Sequence, residues 1–227
     1  LPSISKRMKI DYPINPEAIQ DSGRIGIILE AVERLEKING SEKAIIVTLT
    51  GPLTVLQQLY EEEDLQALEF YMIEKKLEVI TQARVQLCKN YGDKKVSGIL
   101  LYEDINFNTL QIKDLKKFYS SIFNVIKYYN MFGIFRVPED AEIIPNLHKS
   151  VIGSQDLILK SKFRTKGIAL NDSYWKETHV QENYRDLWYE NNKRRLFFST
   201  CRPLDLHIEL SILQEKVSSL CDPITWS

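Results

Sequence analysis

Short apolar runs alternate along this sequence with longer segments in which apolar residues recur every three or four positions. The clearest apolar run is Ile45–Leu49, where both faces are apolar apart from one threonine, as expected of a buried strand. Thr50-Gly51-Pro52 ends the run, and Leu53–Leu59 has the pattern of a helix with Pro52 in its first turn. This stretch predicts a strand that passes through a glycine turn into a helix, which is one βα unit.

The same alternation continues to the end of the chain. The other predicted strands are Ser97–Tyr102, Phe132–Val137, Gly167–Leu170 and Leu196–Thr200. Helical stripes precede, separate and follow the strands, while Pro145 and Gly153 predict short helical pieces joined by turns over Glu139–Ser161. Strict alternation predicts an α/β fold with a parallel sheet and outer helices. Five strands are too few to close an eight-stranded barrel.

The first helical stripe is one face of a helix. It ends at Asn39-Gly40, and its members are Ile25, Ile28, Leu29, Val32 and Leu35. It predicts a helix that packs on the sheet beginning at Ala44. Further along, Glu61–Asp64 predicts a solvated loop or a helix N-terminus, and a long helix is expected to run to about Tyr91.

Composition narrows the function classes. The 227 residues predict one domain, and 30 Lys and Arg against 31 Asp and Glu leave a net charge of −1 without a long basic run for nucleic acid. We find neither a signal peptide nor an apolar run near membrane-spanning length, so we expect no membrane partner. Three cysteines without C-x-x-C spacing favour a reducing cytoplasm over a disulfide framework. The missing initial Met leads us to expect a truncated or processed chain.

Three segments carry a family resemblance. VTLTGPLTVLQQL, preceded by RIGIILEAVERLEKING, resembles the middle of the uroporphyrinogen decarboxylase and corrinoid/thiol methyltransferase superfamily. ILLYEDINFNTL resembles a family segment with an acid at a strand end, which implies that role for Asp104. RLFFSTCRPLDLHIEL resembles the late strand and loop, which places Cys201 on the family's cysteine. The resemblance implies a TIM-type barrel over residues 1–227 that lacks the first barrel strands, with its site at the strand C-termini.

The candidate site residues follow from that placement. Asp104 is the candidate catalytic acid, and the candidate substrate contacts are Arg136, Thr50, Gly51, Tyr102, Asn171 and Cys201. Glu103 and Asp104 alternate in direction, so only one of them can face the interior. Four of the candidates also have a structural alternative: a cap for Asp104, a salt bridge for Arg136, a core aromatic for Tyr102, and a small buried thiol for Cys201. Arg84, near the apolar stripe of its helix, is a weaker candidate.

The third predicted strand departs from the family. Zinc-dependent methyltransferases of the superfamily carry H-x-C-G there, and this chain has Phe135-Arg136-Val137-Pro138. Cys201 alone cannot hold a zinc ion unless His148 or His179 supplies a further ligand. We therefore expect no metal and no cofactor.

Two functions remain as expectations. The first is a uroporphyrinogen decarboxylase-like protein that acts on or binds a tetrapyrrole or a corrinoid-linked methyl carrier. The second is a catalytically degenerate methyltransferase-like module that binds a partner in corrinoid methyl transfer, either as a homodimer or with a corrinoid protein. A third resemblance, to cobalamin-independent methionine synthase, also requires zinc ligands that we cannot place.

Overall fold

The computed structural model describes residues 15–16, 23–39, 42–104, 115–138, 150–160, 165–176, 196–200 and 208–220. The helices are α1 (Ile25–Asn39), α2 (Pro52–Leu59), α3 (Glu62–Ala67), α4 (Phe70–Asp93), α5 (Leu115–Tyr128), α6 (Gln155–Lys160), α7 (Asp172–Lys176) and α8 (Leu210–Leu220). The strands are β1 (Ile46–Thr50), β2 (Gly98–Tyr102), β3 (Phe132–Arg136), β4 (Ser150–Gly153), β5 (Thr165–Leu170) and β6 (Leu196–Thr200).

The chain forms two compact units, which we describe one at a time. The first comprises Leu1–Val137 and Ile143–His148, and the second Pro138–Glu142 and Lys149–Ser227. That the whole chain is one domain stays a prediction.

The first unit is built on three parallel strands. β1 pairs with β2 and β2 with β3, so that Leu49, Leu101 and Phe135 lie in one row. Phe135 packs against Tyr119 and Phe123 of α5, with ring centroids 5.1 and 6.1 Å away. This row therefore marks the face of the sheet that the helices cover. The largest fully buried side chains of the unit's core are Leu53, Leu56, Tyr60, Leu77, Ile99, Leu101, Tyr119, Ile122, Ile126 and Phe135.

The second unit has the same construction. β4 pairs with β5 and β5 with β6, again in parallel. Lys166 of β5 is buried, and its ammonium group donates a hydrogen bond of 3.1 Å to the carbonyl of Leu159 near the end of α6. α7 packs on α8, where the Tyr174 hydroxyl donates to the carbonyl of Lys216 at 3.3 Å.

The predicted fold class is confirmed: the chain is an incomplete, TIM-barrel-like α/β fold with parallel strands and outer helices. The prediction for residues 139–161 was wrong in part, because residues 150–153 form the strand β4, all of whose residues are buried. A run of four residues that ends in glycine is too short to show a strand period, and a glycine such as Gly153 is typical of a turn. The acidic cluster begins a short helix of its own, α3.

The predicted packing face of α1 is only partly buried. Among its members Val32 is buried and Ile25 and Leu29 are half-buried, but Ile28 and Leu35 are exposed. The helix forms as the pattern predicts, while much of its apolar stripe stays in contact with solvent. No helix within the described ranges has both the length and the apolarity that crossing a bilayer requires.

Candidate functional site

Three of the predicted contact residues lie side by side at the carboxyl ends of β1, β2 and β3. Thr50 is in register with Tyr102, and Tyr102 with Arg136. In parallel strands residues in register point to the same face, so this row lies on the face opposite α5. The guanidinium carbon of Arg136 is 4.6 Å from the centroid of the Tyr102 ring, within the range of a cation–π contact. All three side chains are half-buried.

Strand alternation separates the two acids that follow β2. Glu103 points to the helix side and is 0% exposed, whereas Asp104 is exposed. The backbone N–H of Glu103 donates to the carbonyl of Arg136 at 3.0 Å, so the β2–β3 ladder continues one residue past the strand ends. The two acids thus point to opposite faces of the sheet, as alternation predicted, and Asp104 is the one on the face of Tyr102. Its role as an acid stays a prediction.

Glu103 closes the N-terminus of α2. The residue before this helix, Gly51, has no side chain to cap it, and the carboxylate of Glu103 accepts the N–H of Leu53 at 3.1 Å and the N–H of Thr54 at 2.8 Å. The Tyr119 hydroxyl of α5 donates to the same carboxylate at 2.6 Å. A negative charge at this end of a helix is favoured by the helix dipole and by the unpaired N–H groups there. One buried side chain therefore joins β2, α2 and α5.

Because Gly51 has no side chain, the carboxyl group of Glu103 can come close to the start of α2. A Cβ built on Gly51 would overlap the carboxyl group of Glu103. Its backbone conformation is extended and open to any residue, so contact with Glu103, not torsion, is the constraint. The structure gives Gly51 a packing role; that it also contacts substrate stays a prediction.

Burial controls the titration of this cluster. It raises the pKa of Glu103, and the hydrogen bonds from Thr54 and Tyr119 oppose that rise by favouring the charged form. The pKa of Tyr119 lies well above its usual range because the phenol is buried and faces the Glu103 carboxyl. Arg84 of α4 has its pKa lowered by burial, an effect that the charge of Glu103 opposes. Arg84 is half-buried and lies close enough to Glu103 for the two charges to interact.

The other predicted site residues lie elsewhere. Asn171, at the end of β5 in the second unit, accepts the N–H of Tyr174 at 3.1 Å and the hydroxyl of Ser173 at 2.7 Å, so its amide caps α7. Contact of Asn171 with substrate stays a prediction. Cys201, His148 and His179 lie outside the described residues.

A zinc ion does not fit the row on β1–β3. The side chains there are a hydroxyl, a phenol and a guanidinium, whereas zinc takes thiolate, imidazole or carboxylate ligands. Across the described ranges there is no group of three or more His, Cys, Asp or Glu side chains placed to hold a metal.

Sequence reasoning did not identify Glu103, Thr54 and Tyr119 as one cluster. A signal was present, since TGPLT begins a helix with glycine at the capping position and thus requires an acceptor from elsewhere in the chain. Which acceptor fills that position depends on tertiary packing.

Comparisons with known proteins give a likeness in structure and none in sequence. No protein-family model matches the chain, and no curated protein matches its sequence. A solved structure described as a methyltransferase from Methanosarcina mazei is similar, with a TM-score of 0.58, 13% sequence identity and 90% of this chain covered. The likeness is one of fold. The chain spans 66% of the length of that methyltransferase.

Proposed function

We propose that this chain binds an anionic tetrapyrrole-type ligand at the carboxyl ends of β1, β2 and β3, as a uroporphyrinogen decarboxylase-like protein. The row of Thr50, Tyr102 and Arg136 carries this proposal. Carboxyl ends of parallel strands are where such folds place their ligands.

The chemistry of the row suits a carboxylate on a flat, apolar body. Arg136 offers a planar guanidinium that can bind a carboxylate through two parallel hydrogen bonds. The ring centroid of Tyr102 lies 4.6 Å from the guanidinium carbon of Arg136, and this contact helps to orient the guanidinium group. Half-burial of the row lowers the local dielectric, so a charge-assisted contact there is stronger than on an open surface.

Asp104 would supply the acid of a decarboxylation. It follows Tyr102 by two residues and is exposed, so its carboxylate can approach a bound ligand. A carboxylate in that place would stabilise a protonated pyrrole, which takes up the electron pair of the C–C bond that breaks as a ligand carboxylate leaves as carbon dioxide. A proton from solvent would then replace the lost carboxylate on the side-chain carbon, and the pyrrole would release its added proton.

The second candidate is a binding protein in corrinoid methyl transfer. The similarity of fold to a methyltransferase favours this candidate. The two candidates share the site and differ in the ligand and in whether product forms.

A titration under anaerobic conditions tests both. The purified protein is titrated with uroporphyrinogen, coproporphyrinogen and a methyl-corrinoid, with product analysis after each. Binding with loss of carboxylates supports the decarboxylase, and binding of the methyl-corrinoid alone supports the second candidate. Absence of binding to all three probes would show that the proposal is wrong.

Two arginine variants test whether the ligand binds at the row of Thr50, Tyr102 and Arg136. Arg136→Met should weaken binding about tenfold or more, since a charge-assisted hydrogen bond contributes about 1.5–3 kcal/mol. Arg34→Met, on the exposed side of α1, is the matched control and should bind as the wild type does. Equal affinity of both variants would place the ligand away from the row.

A further inference from the structure

At the end of β1, a side chain of α2 replaces a backbone carbonyl as the acceptor for the next N–H after β2. The N–H of Gly51 donates to the carbonyl of Tyr102 at 2.6 Å, which is the last bond between this segment and β2. In a parallel ladder the carbonyl of Gly51 would next accept the N–H of Asp104. Here that carbonyl instead accepts the N–H of Val55 at 3.0 Å, as the first bond of α2.

The hydroxyl of Thr54 takes the place of the missing acceptor. Its Oγ1 accepts the N–H of Asp104 at 2.8 Å and lies 2.5 Å from Oε2 of Glu103. A hydroxyl has one proton, and a backbone N–H can only donate. With Glu103 as a carboxylate, which can only accept, the proton of Thr54 points at Glu103, and the order of donation runs from Asp104 through Thr54 to Glu103.

This arrangement fixes the hydroxyl rigidly. Thr54 is 4% exposed, its own N–H also donates to Glu103 at 2.8 Å, and Glu103 is held in addition by Tyr119. A buried network with every member paired has one arrangement and resists displacement. The backbone of Asp104 is thus attached to the buried corner while its side chain stays exposed.

We propose that Thr54 is a positioning residue for Asp104. It holds the Asp104 backbone at the edge of the sheet, so that the carboxylate stands beyond Tyr102. This role rests on the proposed function, in which Asp104 is the acid that faces the ligand.

Three threonine variants test this role. Thr54→Val keeps the shape and removes the hydroxyl, Thr54→Ser keeps the hydroxyl, and Thr81→Val is the matched control. Thr81 is about equally buried, at 5% exposure, but its hydroxyl has no hydrogen-bond partner among the residues that the structure describes. Hydrogen exchange at the Asp104 amide should be roughly five- to tenfold faster in Thr54→Val, as expected for loss of one hydrogen bond, and unchanged in the other two.

A double-mutant cycle separates positioning from a general structural role. For the probe that wild-type protein binds most tightly, Thr54→Val should weaken affinity by about fivefold to tenfold, and Thr54→Ser should restore it. In an Asp104→Asn background the further effect of Thr54→Val should fall below about twofold, because the two residues act together.

The outcomes distinguish this role from the proposed function. If the wild type binds a probe to saturation and Thr54→Val binds it equally well, the role of Thr54 is wrong, while the proposed function stands. The same conclusion follows if the losses of affinity from Thr54→Val and Asp104→Asn are fully additive in the double variant. Wild-type protein that binds none of the probes overturns the proposed function and this role with it.

Discussion

The corner formed by α2, α5 and the end of β2 differs sharply from α1 in the contacts that stabilise it. In the corner, Glu103 is fully buried and accepts bonds from Leu53, Thr54 and Tyr119. In α1, Val32 is the one buried residue among the described side chains, while the exposure of Ile27, Ile28, Leu35 and Ile38 ranges from 45% to 83%. The corner therefore has one arrangement, whereas α1 is attached over a small area. An apolar stripe is enough to predict a helix, but it does not show how much of the stripe is buried.

The largest expected effect is loss of the Glu103 carboxylate. Glu103→Ala should lower the free energy of unfolding by about 3 kcal/mol, because it removes the acceptor of two helix N–H groups, of the Thr54 hydroxyl and of the buried Tyr119 phenol. Urea denaturation measures this difference. Tyr119→Phe removes one of the donors and should cost about 1–2 kcal/mol. A Glu103→Ala variant as stable as the wild type would show that the corner is not held by its polar contacts.

An intermediate effect is expected within α1. Val32→Ala should lower the free energy of unfolding by about 1–2 kcal/mol, since it removes two buried methyl groups. Ile38→Ala, at the most exposed position of the stripe, is the matched control and should stay within about 0.5 kcal/mol. Thermal and urea unfolding of both variants measure the contrast. A larger loss for Ile38→Ala than for Val32→Ala would mean that a surface outside the described contacts covers the stripe.

These contrasts show what the sequence could predict. Apolar runs and helical stripes predicted the alternating fold and placed Thr50, Tyr102 and Arg136 at strand ends, whereas the register that sets the three side by side comes from the structure. Alternation also predicted that Glu103 and Asp104 face opposite ways. It could not say which of the two is buried, because that depends on where Tyr119 and the start of α2 come to lie.

The smallest expected effect concerns the exposed ion pairs of α1. Hydrogen bonds from Lys37 and from Lys94, the residue that follows α4, lower the pKa of Glu33 from 4.5 to about 2. Because the folded-state pKa is depressed, the contribution of Glu33 to stability is full above pH 4.5 and is lost as the pH falls toward about 2. The thermal midpoints of the wild type and Glu33→Gln should therefore differ slightly near neutral pH and converge in acid.

Salt provides the control for that measurement. Lys37 is exposed, and the side chains of Glu33 and Lys94 still reach solvent, so high ionic strength should reduce the difference between the wild type and Glu33→Gln. A difference that persists in acid and in high salt would have another origin than the charge of Glu33.

The contact between Gly51 and Glu103 also limits the order in which this sequence can diverge. Alanine at position 51 fits only after residue 103 has become shorter, and a shorter residue at 103 first leaves the helix start without its acceptor. Each single replacement thus passes through a less stable intermediate, and the effects of the two are not additive. Mutational histories at this corner should therefore contain both changes together or neither.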